Sequence, residues 1–443
     1  MNEAQVIADR LIEIVGDRAE AEATVSTGRE ALTRFANSFI HQNVGEDAVA
    51  IRLRVAVDGR VAALTGNLVD DEALQRLVDD ALEAASLQPV DAEWAGLTPP
   101  TPVNSSDRSD PATAAASPED RAEVVRQFIA AGPDYLAAGY CDTSDQQIGF
   151  ANSLGQRAAG RNTRASIDGI HQTGESAGSG HQTSRSIGDL DGAATGGQAT
   201  SLARQGMGAY DIKPGHYEVV LSPECVATII VFLTFYGFNG KAVEDGRSFV
   251  DLGAEQFDPK VTLVDDPLSE DALWVPFDAE GTPRVGLDLI RNGITSGVTH
   301  DRRTAAKAGV ESTGHAHEAS AAWGPMAANL RIQAGGTEFE DMISTVERGL
   351  YVTTFNYCRV LDPKSMVVTG LSRNGTFMIE HGKITGAVTN LRFTQSFISG
   401  IGPGNVMTVG NDVRYADSEF GAGFVRAPSL QLASWNFTGG AEG

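Results

Sequence analysis

Cysteine is scarce. Only Cys141, Cys225 and Cys358 occur in 443 residues, and no CxxC pair is among them. That excludes a disulfide framework and suits a reducing cytosol. Positive charge is short too, with 34 Lys plus Arg against 58 Asp plus Glu and a net charge of −24. Such an excess repels phosphate backbones and anionic lipid, so neither nucleic acid nor a membrane surface is an expected partner. A basic or neutral partner is favoured instead. The longest apolar run, Val226–Phe238, is too short to span a bilayer and reads as a buried helix. The opening MNEAQVIADRLIEIVGD is acidic and amphipathic, unlike a signal peptide. A soluble cytoplasmic protein is expected. The common chemical signatures are missing as well, with no GxxxxGK[ST] and no GxSxG. Gly400, Gly402 and Gly404 form a Gly-x-Gly-x-Gly stretch with no helix pattern after it, so it reads as a turn.

What is present describes an α+β chain. Apolar residues make up 42% and charged residues 21%, the balance of a globular protein. Val6, Ile7, Leu11, Ile12 and Ile14 are spaced for a helix. TRFANSFIHQN, AVAIRLRVAV and RVAALTGN read as three strands, with Asp58-Gly59 as a tight turn between the last two. DDEALQRLVDDALEAA reads as a helix with acids in its first turn. Residues 87–118, rich in Pro, Ser, Thr and Ala, read as an exposed connection. Ser117 and Pro118 then mark a helix start. Phe35-Ala36-Asn37-Ser38 recurs as Phe150-Ala151-Asn152-Ser153, each copy among strands and followed by a helix, the second over roughly Leu190 to Gln205. This suggests an internal duplication. The polar strands RASIDGIHQTGESAGSGHQTSRS face solvent or a partner on at least one side.

Composition changes near residue 213, dividing the chain into residues 1–213 and 214–443. The first part is expected to hold two helix–strands–helix units. In the second part HYEVVLSP reads as a strand ending at a helix capped by Ser222, with Pro223 at its first position. Short strands with Gly, Pro, Asp and Asn turns follow, as in a sandwich or barrel-like domain around the buried helix.

His315-Ala316-His317-Glu318 is the only dense metal-type cluster. Alternate histidines on a strand can bind zinc from one face, but this run is loop-like and lacks a third ligand nearby, so His315 and His317 are weak candidates. His41, His171, His181, His216, His300 and His381 read as ordinary surface or core histidines. Cys358 reads as a buried structural thiol, and Asp278 and Glu280 as solvated acids at a turn. The residues alone leave two classes open: a hydrolase whose ligands meet only in the fold, or a subunit that supports another protein.

A series of motifs narrows this choice: VTLVDDP (261–267), PFDAEGTPR (276–284), LIRNG (289–293), DRRTAAKAG (301–309), STGHA (312–316), VERGLYV (346–352), NGTFMIEHGKITGAVTNLRFTQ (374–395) and the closing NFTGG. Together they resemble the TldD/PmbA family, also called modulator of DNA gyrase. The resemblance implies a heterodimeric peptidase of two related subunits acting on unfolded or extended peptides. Its catalytic subunit carries HExxxH on the helix after the first strand of the C-terminal domain, where two His bind zinc and the Glu is general base, and a Cys near the C-terminus completes the site. Here Val231 and Tyr236 stand where the His would be and Phe232 where the Glu would be. MTVGNDVRYADSEF fills the region of the Cys, and no HExxH or HExxxH occurs anywhere. The resemblance therefore implies a TldE/PmbA-like subunit without zinc of its own, paired with a TldD-like zinc-bearing homologue. The alternative is a stand-alone or homodimeric peptide-binding protein or a hydrolase of unrecognised mechanism. The residues that line a peptide site are not indicated.

Overall fold

The structure is a computed structural model that describes residues 2–103 and 106–440. It begins with the helix Glu3–Val15, capped by the Asn2 side chain accepting from the Gln5 N–H. Ile7, Leu11, Ile12 and Val15 form its buried face, while Val6 points outward. Three antiparallel strands follow, Glu20–Ala36, Phe39–Val57 and Arg60–Gly66. Their turns are Asn37-Ser38 and Asp58-Gly59, all four residues with positive φ, as tight two-residue hairpins require. TRFANSFIHQN is thus not one strand: Asn37-Ser38 divides it, and a long strand precedes it. The helix Asp71–Ser86, capped by Asp70, closes the unit.

The second unit repeats this order. The helix Pro118–Ala130 starts at a capping box of Ser117 and Asp120. The strands Leu136–Asn152, Arg157–Gln172 and Ala177–Ser184 lead to the helix Gly192–Gln205. Both Phe-Ala-Asn-Ser copies occupy the same place, at the end of the unit's first strand. Those two first strands pair antiparallel, which joins the units into one seven-stranded sheet. The connection 87–118 is less exposed than its composition suggests. Ser106–Arg108 adds a parallel strand beside Arg157–Gln172, and Leu97, Thr98 and Arg108 are buried. Thr98 Oγ1 donates to the Glu280 carbonyl at 2.7 Å and Arg108 donates to the Pro267 carbonyl at 2.6 Å, so this segment straps the first half to the second.

From Gly215 the chain builds a nine-stranded and a six-stranded sheet. Between them lies the helix Pro223–Tyr236, packed on strands of both. Ser222 caps it and Pro223 occupies its first turn, as expected. Every residue from Cys225 to Thr234 is buried, and Glu224 in the first turn and Phe235 and Tyr236 in the last are half-buried. Among the described residues both sheets remain open. The arrangement is a helix-filled sandwich rather than a closed barrel. In the larger sheet Leu430–Gly440 runs between Leu391–Ser396 and Gly215–Leu221.

Candidate functional site

The helix window Val231–Tyr236 is an aromatic cluster. Phe232 is 2% exposed. Its ring stacks on Phe420 with centroids 5.2 Å apart, meets Phe397 edge-on at 5.9 Å and leans on Tyr236 at 5.7 Å. Phe235 extends the cluster to Trp323 at 5.8 Å and sits edge-on to Phe420 at 5.4 Å. Phe420 closes the segment MTVGNDVRYADSEF. The remaining space is a cavity of about 20 Å³ lined by apolar groups such as Val231, Phe235, Leu330 and Phe424. Val231 and Phe232 present no ligand atom, and Tyr236 only a phenol, so these residues do not fit a catalytic zinc.

His315 and His317 do not converge either. His315 is fully buried, with Nε2 2.9 Å from Asp265 Oδ2 and Nδ1 2.8 Å from Thr313 Oγ1, so both ring nitrogens are engaged. Burial alone would raise the Asp265 carboxyl, but the bond to His315 holds it below its ordinary value. His317 Nδ1 accepts from the Ala319 N–H at 3.2 Å, and its buried Nε2 has no partner. Burial lowers its pKa. Among the described residues neither histidine belongs to a three-ligand cluster.

Asp278 and Glu280 are not solvated. Both are buried, Asp278 at 3% exposure. Arg54 bridges Glu22 at 2.6 Å and Glu280 at 3.0 Å while lying over the Trp94 ring. Asp278 accepts from the N–H groups of Glu280, Thr282 and Ala316, each at 2.9 Å. Burial, with the Glu280 charge behind it, pushes its carboxyl up to about 7. This cluster is an internal joint: its cation stands on a strand of the first half and one of its acids on a turn of the second.

The open concave site also lies between the halves, toward the opposite end of the first sheet. It is a cavity of about 350 Å³ walled by Asp168 and His181 from the first sheet, Leu202 from the helix Gly192–Gln205, Glu224 and Thr228 from the central helix, and Tyr351, Phe355, Arg373 and Asp417 from the second half. Arg414 binds Glu224 at 2.9 Å. Burial favours the protonated Glu224, yet Arg414 outweighs it and keeps the carboxyl below its usual range. Burial pushes Asp417 up to about 6. For His181 burial acts downward, but Asp168, Asp417 and Glu224 together raise its pKa. From sequence His181 reads as an ordinary histidine, and Asp168 and Asp417 are not singled out. The one available signal was the run of polar strands that holds the first two.

The model of the PmbA/TldA metallopeptidase C-terminal domain matches residues 214–439. The chain belongs to the PmbA/TldD family. Its members include the Metalloprotease TldD homolog of Haemophilus influenzae, 33% identical over 137 residues, which are 30% of this chain and 28% of that protein. They also include the Metalloprotease PmbA of Escherichia coli O157:H7, 28% identical over 185 residues, 41% of this chain and 38% of that protein. The matched stretches thus span well under half of those relatives. The crystal structure of TldE from Thermococcus kodakarensis superposes with a TM-score of 0.87 over 98% of this chain and 100% of that one, at 18% identity. That likeness establishes the mixed α/β PmbA/TldD fold and leaves function to the site. Among the described residues no helix is long and apolar enough to cross a membrane.

Proposed function

We propose that this chain is the metal-free subunit of a TldD/TldE-type heterodimeric zinc metallopeptidase. In this reading it binds and positions unfolded or extended peptides, and a TldD-like, zinc-bearing homologue cleaves them. Residues 1–213 and 214–443 are its two domains, it works in the cytoplasm, and zinc belongs to the partner. The observation that carries the reading is the packing of Val231, Phe232 and Tyr236 into an aromatic cluster within a family whose named relatives are metalloproteases. A hydrolytic zinc polarises the scissile carbonyl and lowers the pKa of its water, and it must be held by His, Cys or carboxylate ligands to do so. Those three positions supply none.

Peptide capture is supported by the sheet edge next to the cavity. The strand Phe355–Asp362 is one of the two edge strands of the nine-stranded sheet, opposite Lys383–Ala387. Phe355 and Asn356 line the cavity, and Tyr357 and Leu361 stand 64% and 61% exposed along the strand. An extended peptide adds to such an edge through main-chain hydrogen bonds, which tolerate many sequences. The net charge of −24 favours basic or neutral peptides.

The test mixes this chain with the TldD-like chain of the same genome, follows co-elution, and measures cleavage of an unfolded peptide. Co-elution with faster cleavage is the expected outcome. If the partner alone cleaves as fast and the two do not co-elute, the reading is wrong. Chelator-insensitive cleavage by this chain alone also overturns it.

A further inference from the structure

We propose that Asp168, His181 and Asp417 form a divalent-cation site, suited to zinc, that clips the first half of the chain to the second. The site is separate from the helix window, and an ion here is structural, so the metal-free reading above then holds for the catalytic zinc alone. Asp168 and His181 are directly opposite one another on the antiparallel strands Arg157–Gln172 and Ala177–Ser184, so their side chains leave the same face of the sheet. Asp417 approaches from the other half, just after the strand Arg414–Ala416. Its loop is held to the central helix by the Glu419 N–H donating to Thr228 Oγ1 at 3.2 Å. One ligand atom from each of the three residues lies within 4.8 Å of the others.

His181 supplies the decisive detail. Its side chain is 6% exposed. Nε2 is engaged by Thr183 Oγ1 at 3.0 Å, and Thr183 in turn meets Ser166 Oγ at 2.9 Å. Nδ1 is buried without a hydrogen-bond partner, 3.5 Å from Asp168 Oδ2. In the tautomer that donates from Nε2 to Thr183, the Nδ1 lone pair faces Asp168 Oδ2, with an Asp417 oxygen within 4.8 Å. Lone pair and carboxylates repel one another unless a cation lies between them. A histidine whose far nitrogen is fixed by a hydroxyl, facing two carboxylates, is a ligand set with its outer shell already built. One imidazole and two carboxylates match zinc in donor type, and the remaining coordination position faces the cavity. His181 held as an imidazolium, with no metal, is the competing state.

The experiment titrates the full-length, chelator-stripped chain with zinc chloride by calorimetry and records the visible spectrum with cobalt(II). Expected are one zinc per chain, a cobalt spectrum of low coordination number, and a rise in melting temperature on adding zinc. His181→Ala and Asp417→Asn should each abolish the spectrum and the thermal shift. Thr183→Val leaves the ligands in place and should weaken binding about 10–100-fold. Should the alanine variant fail to fold, Asp417→Asn and Thr183→Val still decide. The proposal fails if the wild-type chain binds no zinc at neutral pH, which is the imidazolium outcome. It also fails if binding is unchanged in Asp417→Asn and Thr183→Val.

Discussion

Replacing Phe232 by alanine measures what fills the position where the family resemblance places the metal motif. The ring is 2% exposed and touches Phe420, Phe397 and Tyr236. Truncating a buried phenylalanine costs roughly 3–5 kcal/mol when the site cannot collapse. The upper end applies here. Three aromatic contacts are lost, each worth about 0.5–1.5 kcal/mol beyond the buried area. The neighbouring void of about 20 Å³ shows that the surroundings already meet closely. Phe232→Leu retains most of the volume and should cost about 1.5 kcal/mol or less. Equilibrium urea unfolding followed by tryptophan fluorescence reads the change, because Trp274, Trp323 and Trp435 all lie in the second half. Trp435 packs on Phe397, one ring from the mutated site. The comparison requires an unchanged denaturant slope. A loss under about 1 kcal/mol for the alanine variant would refute the reasoning, since the ring would then face open space rather than a packed core.

Further outcomes follow from the same contacts. Phe232→Glu buries a carboxylate among Phe420, Phe397 and Tyr236 without a cation; it should destabilise more than alanine and add no zinc beyond the wild-type content, as melting and elemental analysis of both proteins will show. Arg54→Met strips the shared cation from Glu22 and Glu280, and a loss of roughly 3–5 kcal/mol in a thermal melt is expected; a change near zero refutes the joint. Asp278 gives a pH test. Its native carboxyl titrates at about 7 against 3.8 for the unfolded chain, so between these values the native state holds more protons and its stability falls as pH rises from about 4 to about 7. The stability difference between wild type and Asp278→Asn should therefore change across that window, and a constant difference would show that Asp278 does not titrate there.

Local chemistry made part of this fold legible. Ser117 with Pro118, Ser222 with Pro223, and Asp58-Gly59 announce helix starts and a hairpin from adjacent residues alone, and the structure places all three there. The first Phe-Ala-Asn-Ser was misjudged because aromatic Phe35 and Phe39 bracket Asn37-Ser38, and a strand pattern hid a turn. Asp278 and Glu280 carry every mark of a surface turn. Their burial depends on Arg54, which is 226 residues from Glu280, and no sequence window contains both. The connection 87–118 looked exposed for the same reason, since what covers Thr98 is the turn at Glu280. His181 reads as ordinary in the sequence because its partners are a cross-strand neighbour and a residue of the other half, so only pairing reveals them.

The place of Leu430–Gly440 has a consequence for how the chain is made. This strand joins Gly215–Leu221 to Leu391–Ser396 in the nine-stranded sheet, and Val406–Val409 pairs with it as well. During synthesis Gly215–Leu221 emerges early and can find Arg348–Val352, but its other flank stays vacant until residue 430 and beyond have left the ribosome. Until then the nascent sheet is two fragments, each with an open hydrogen-bonding edge. Closure of so distant a pairing is slow. The interval before it is when a chaperone has an edge to shield, and a message truncated before residue 430 yields a chain fixed in that state.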